Sequence, residues 1–128
     1  MNTMDNLKGK KLVWVEDDQF LSGIIASKLT NHGITLLHAS TGDDGFAMIK
    51  KEKPDIVLLD LLLPGISGFD VLQKVKEDAE LKDIPVIVFS NLGEPKEIKK
   101  ARDLGAKKFL VKAAIVPDQI IDELSSAL

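Results

Sequence analysis

Asp60 closes an apolar run, Ile56-Val57-Leu58-Leu59, and Glu16-Asp17-Asp18 closes another, Leu12-Val13-Trp14-Val15. Carboxylates delivered together to the ends of buried segments repel one another unless a cation or a proton compensates. A hard divalent cation is the usual relief; Mg²⁺ takes oxygen ligands, commonly one or two carboxylates plus a phosphate. Two further apolar runs end in useful groups, Val86–Phe89 in the hydroxyl of Ser90 and Phe109–Val111 in the amine of Lys112. Metal-binding acids, a carboxylate nucleophile, a hydroxyl and a cation together suit phosphoryl transfer, where a protein mainly positions groups and neutralises charge. In that chemistry Asp60 attacks the phosphorus and becomes an aspartyl-phosphate. Glu16 and Asp17 hold the metal, while Ser90 and Lys112 contact the phosphoryl oxygens. Taken singly, each acid also reads as a helix cap or a solvated loop residue, and Asp18 fits the N-cap of a following helix.

Such convergence requires parallel strands whose C-terminal ends share one edge. Short runs rich in β-branched residues occur at Leu12–Val15, Thr35–His38, Ile56–Leu59, Val86–Phe89 and Phe109–Val111. Stretches with helical spacing follow each of them. Gln19–His32 places Phe20, Ile24, Ile25 and Leu29 on one stripe and stops at Gly33. Thr41–Lys51 and Ser67–Asp78 open with capping patterns, Thr41-x-x-Asp44 and Ser67-x-x-Asp70. Pro95–Leu104 and Pro117–Ala127 each begin with proline, which suits a first helical turn. Alternating strands and helices of this kind predict an α/β fold, a doubly wound five-stranded parallel sheet with right-handed crossovers. Neighbouring strand tips in such a sheet lie about 5 Å apart, and ligands bind along that edge.

The 128 residues fit one domain with its core from about residue 11 to 128, preceded by a polar extension over 1–10. The chain has no cysteine, so disulfides, thiolate metal sites and cysteine nucleophiles are excluded, and a cytoplasmic setting is compatible. No apolar stretch is long enough to cross a bilayer, and the first residues lack the apolar core of a signal peptide. The net charge of −3 and the scattered lysines give no nucleic-acid footprint. Lys96, Lys99, Lys100 and Arg102 are interleaved with acids and read as a solvated helix face. Trp14 reads as a packed core aromatic, and His32 and His38 as isolated residues.

The full set of motifs resembles the receiver domain of two-component response regulators, of the stand-alone chemotaxis-regulator type, from about Lys11 to Leu128. The resemblance is carried by Val13-Trp14-Val15-Glu16-Asp17-Asp18, by Asp60-Leu61-Leu62-Leu63-Pro64-Gly65-Ile66-Ser67-Gly68, by Val88-Phe89-Ser90 and by Phe109-Leu110-Val111-Lys112. Proline four residues and glycine eight residues after the aspartate are its most specific element. It implies a flavodoxin-like (βα)5 fold in which Asp60 accepts phosphate from a histidine kinase or a histidine phosphotransfer protein. It implies that Asp17 binds Mg²⁺ (or Mn²⁺) directly and Glu16 through water, with Asp60 and the backbone carbonyl of Leu62 as further ligands. Ser90 and Phe109 are then the switch residues, and Leu62 and Asn91 tune dephosphorylation. Output passes to a downstream protein target or effector domain through the face of the fourth helix, fifth strand and fifth helix. The resemblance leaves a homodimer through that face open and implies neither direct nucleic-acid binding by this domain nor membrane contact.

The chain departs from that pattern where Ala113 follows Lys112, since most of the family has proline there, often after a cis bond. A cis bond before Ala113 would cost about 3 kcal/mol, so the turn is either trans or strained. Phe109 lacks the hydroxyl of the frequent tyrosine. Competing functions fare worse. A haloacid-dehalogenase-type phosphatase needs a second aspartate two residues after the nucleophile, where this chain has Leu62. A flavin or nucleotide module needs a phosphate loop after the first strand, where Glu16-Asp17-Asp18 would repel phosphate. A receiver-like scaffold that acts without phosphorylation is the remaining alternative.

Overall fold

The computed structural model describes residues 6–128, and the side chains of all of these except 19–22. Five strands, β1 (Lys11–Val15), β2 (Thr35–Ala39), β3 (Ile56–Leu59), β4 (Val86–Ser90) and β5 (Lys108–Val111), alternate with five α-helices. These are α1 (Gln19–Asn31), α2 (Gly42–Glu52), α3 (Gly68–Glu77), α4 (Pro95–Asp103) and α5 (Pro117–Ala127). All pairings are parallel, as the alternating pattern predicts, and the strand order is β2-β1-β3-β4-β5.

The period of two along each strand sorts the core into two layers. Leu12, Trp14, Ile56, Leu58, Ile87 and Phe89 face α1 and α5, where they meet Ile25, Leu29, Ile121 and Leu124. Val13, Val15, Val57, Leu59, Val86 and Val88 face the other way, onto Ile49, Val71, Leu72, Val75 and Ala101 of α2, α3 and α4. Burial on both faces explains why the central strands are continuously apolar rather than alternating.

Local signals set the helix ends. Thr41 accepts a hydrogen bond from the Asp44 N–H, and Ser67 and Asp70 form a reciprocal capping box at the start of α3. Gly33 closes the turn after α1 at φ +81°, a conformation that suits a residue without Cβ. Phe20, expected on the buried stripe of α1, lies outside the described side chains, and Ala47 of α2 faces solvent. The core reaches back further than residue 11: Leu7 is fully buried among the α1 and α5 side chains. The Gly9 N–H bonds the Gly33 carbonyl, and the Asn6 amide bonds the Ser125 carbonyl, so this stretch is tied to the turn after α1 and to α5. One apolar residue in a polar run carries no periodicity, which is why the pattern alone misses it.

Gly68, eight residues past Asp60, explains its own place in the motif. A Cβ there would lie 2.1 Å from the Asp60 carbonyl oxygen and 2.6 Å from the Leu61 Cα, both backbone atoms that cannot swing aside. The start of α3 therefore rests directly on the chain leaving β3. We expect Gly68→Ala to lose about 3 kcal/mol, the upper end for overpacking a tight site, measurable by urea denaturation with an unchanged denaturant slope.

Candidate functional site

The sheet ladder continues one residue beyond the formal strands, and this brings the acids together. The Asp60 N–H donates to the Val15 carbonyl, and the Glu16 N–H donates to the Ala39 carbonyl, at 3.0 and 2.9 Å. Carboxylate oxygens of Glu16, Asp17 and Asp60 then all lie within 4.8 Å of one another. Glu16 and Asp60 are buried and Asp17 is exposed, so the cluster opens to solvent on one side.

Lys112 arrives from the end of β5. Its Nζ lies 2.7 Å from Glu16 Oε1 and 2.7 Å from Asp60 Oδ2, with a further bond of 2.9 Å to Glu16 Oε2. No described residue is in a cis peptide, so the Lys112–Ala113 bond is trans, and residues Lys112–Ala114 form a single 3-10 turn. The amine reaches the acids without a proline after it. Its contacts leave three carboxylates facing one ammonium.

Burial pushes the Glu16 carboxyl above its ordinary pKa, and the charge of Asp60 adds to this; the Lys112 amine and the Asp18 N–H pull the other way without cancelling it. Burial also works against the Lys112 ammonium, but the hydrogen bonds it donates to Asp60 and Glu16 prevail and hold its pKa above the ordinary lysine value. Glu16 therefore carries its charge at a cost to the folded state. That cost is absent below the ordinary carboxyl pKa, grows as pH rises from there to the raised value, and is fully present above it. In chelator at neutral pH, Glu16→Gln should melt at a higher temperature than the unsubstituted protein, with the gap closing as pH falls towards 4. A gap that stays constant with pH would show that Glu16 ionisation is not its source.

The donor set fits a hard divalent cation. All its atoms are oxygens, and the negative charge is in excess, with three carboxylates gathered against the one Lys112 ammonium. The other expected residues lie at the same edge with differing roles. Leu62 is exposed, and its N–H donates to Asp60 Oδ1 at 3.2 Å. Ser90 is fully buried at the end of β4, where its Oγ accepts from the Leu92 N–H rather than meeting Asp60. Asn91 is exposed beside it. Phe109 is half-buried on β5, against the α2–α4 layer, and lines a groove of about 450 Å³ along β5 and α5.

Two neighbours of the site have contacts that the sequence does not reveal, and His38 is not the isolated residue expected. His38 Nε2 lies 2.6 Å from the Glu16 carbonyl oxygen, so that nitrogen carries the proton. Phe89 presents its ring to the Lys112 ammonium at 5.7 Å. The first contact spans strands and the second spans two elements far apart in sequence, so neither leaves a local motif. The lysines of α4 behave as expected: Lys99 pairs with Asp103, Lys96 with Glu94, and Lys100 sits over the Phe69 ring. No helix among the described residues is long and apolar enough to cross a membrane.

The family model of the response regulator receiver domain matches residues 12–125. Protein PilH of Pseudomonas aeruginosa is 32% identical over 102 residues, which cover 80% of this chain and 84% of that protein. The longer transcriptional regulators that the chain also matches are spanned only in part, from 39% to 52% of their length. Among solved structures, the phosphorylated cyanobacterial phytochrome response regulator RcpA superposes with a TM-score of 0.80 at 29% identity, over 91% of this chain and 89% of that one. The Mn²⁺-bound form of response regulator Rcp1 superposes at 0.81 with 25% identity, over 91% and 92%.

Proposed function

Since the chain belongs to the receiver domain family of response regulators, whose members are signalling domains phosphorylated on aspartate by a kinase, we propose that Asp60 is its phosphoacceptor. A carboxylate oxygen of Asp60 forms the new P–O bond as the bond from phosphorus to the donor breaks. The leaving group, an imidazole nitrogen of a histidine kinase or phosphotransfer protein, departs with the electron pair. The observation that carries this reading is the Lys112 ammonium seated between Glu16 and Asp60, with Asp17 beside them on the open side. It supplies a nucleophile, a fixed counter-charge and an oxygen-lined metal site at one solvent-accessible edge.

Receiver domains bind Mg²⁺, and Rcp1 was solved with Mn²⁺. Here Asp17, Asp60, Glu16 and the Leu62 carbonyl would hold the ion, which neutralises the phosphoryl oxygens when bound. Lys112 holds a second oxygen by a charge-assisted hydrogen bond. Ser90 accepts only one backbone N–H, which leaves its hydroxyl proton free to follow the phosphoryl group. Phe109, beside the groove along β5 and α5, follows Ser90 and changes the α4–β5–α5 face that a downstream partner reads. Leu62, whose N–H bonds Asp60, and Asn91, which follows Ser90, are both exposed and govern water access and so the lifetime of the acyl phosphate. The setting is cytoplasmic, and the output is protein contact rather than catalysis.

Incubation with acetyl phosphate and Mg²⁺, followed by intact-mass analysis, tests this. A gain of one phosphoryl group that EDTA abolishes is the expected result. No gain at saturating donor would favour a scaffold that acts unphosphorylated.

A further inference from the structure

We propose that Phe89 is a positioning residue for phosphoryl transfer: its ring holds the Lys112 ammonium at the site in a chain that has no proline after the lysine. The inference rests on the reading of Asp60 as phosphoacceptor. Beyond Lys112 the backbone offers no clamp, because the 3-10 turn lacks a side-chain cap and both Ala113 and Ala114 are exposed. The amine meets three partners, Glu16, Asp60 and the Phe89 ring. At 5.7 Å from the centroid, the ring is inside the roughly 6 Å within which an aromatic face attracts a cation.

The ring itself is fixed. Phe89 is 1% exposed and packs on Trp14 at 6.4 Å with the planes 50° apart. Trp14 is fully buried and meets His38 edge-on at 6.3 Å, and His38 in turn holds the Glu16 carbonyl. A row of three aromatic rings thus underlies the acidic edge and touches both ends of the Glu16–Lys112 pair. Of the partners of Lys112, both carboxylates change their electrostatics when a cation or a phosphoryl group arrives. Phe89 does not. It keeps the ammonium at the site while its ion pairs are exchanged.

The test replaces Phe89 with 3,4,5-trifluorophenylalanine, which keeps the ring and its packing but removes most of the negative face, alongside Phe89→Leu. In the resting protein, the Lys112 ammonium signal in ¹⁵N-resolved spectra should broaden through faster proton exchange in both variants. With acetyl phosphate, the maximal phosphorylation rate should fall about 3- to 10-fold, the size of a partly buried cation–π contact, while half-saturating Mg²⁺ stays unchanged. An ammonium signal and a maximal rate unaltered by fluorination would show that Phe89 only fills the core and would overturn the proposal. If the unsubstituted protein takes up no phosphoryl group, the reading of Asp60 fails, and the ammonium signal alone still decides the role of Phe89.

Discussion

Asp60→Asn is expected to abolish phosphoryl uptake from acetyl phosphate while leaving the fold intact. The amide has nearly the same shape, so the 3%-exposed site keeps its packing. Its oxygen is a far weaker nucleophile than a carboxylate, and no other carboxylate among the described residues is positioned as Asp60 is. Asp17 is exposed, and Glu16 is buried beneath the lysine. Stability should change by no more than about 1 kcal/mol, because the substitution removes one ion pair and also relieves repulsion from Glu16 and Asp17. Lys112 retains Glu16 as its partner. Circular dichroism and urea denaturation check the fold, and intact mass checks the chemistry. Residual uptake at the unsubstituted rate would move the nucleophile elsewhere.

Lys112→Met should do two things at once. It strips from a cluster of three carboxylates the one ammonium that the described residues supply, and removing one partner of a buried pair costs about 3 kcal/mol, since the charge left behind loses its partner. Added Mg²⁺ should restore much of that loss, because a divalent cation is a better counter-charge for the same oxygens. The variant should therefore bind Mg²⁺ more tightly than the unsubstituted protein while reacting more slowly. Loss of one preorganised donor at developing negative charge costs on the order of 10² to 10³ in rate. Tighter metal binding with slower transfer separates a counter-charge from a mere structural prop. Denaturation with and without Mg²⁺, and phosphorylation under single-turnover conditions, read the two effects.

Much of this arrangement is legible in the sequence, and particular residues show why. Asp60, Glu16, Ser90 and Lys112 each end an apolar run, and a strand tip is a place that periodicity can find. The N-cap of α2 and the capping box of α3 are local and visible for the same reason. Gly68 is visible as spacing, although its cause, a backbone contact with Asp60, is not. Contacts between distant elements stay hidden. The His38 bond to the Glu16 carbonyl depends on the register of β2 against β1, and the Phe89 contact depends on where β5 ends. Ala113 raises a question about Lys112 that only the path of the chain answers: the bond is trans and the amine still reaches both acids. Leu7 shows the limit of polarity as a guide, because one leucine suffices to anchor an otherwise polar segment.

The central claim is that the phosphoryl group goes to Asp60 and nowhere else. Borohydride reduction of the protein after acetyl phosphate and Mg²⁺ treatment converts an aspartyl-phosphate to homoserine, which peptide mapping locates. Conversion at residue 60 alone, lost when Mg²⁺ is chelated, is the result predicted. A reduced residue at another position, or a phosphoryl group that resists reduction as a serine ester at Ser90 would, contradicts the account.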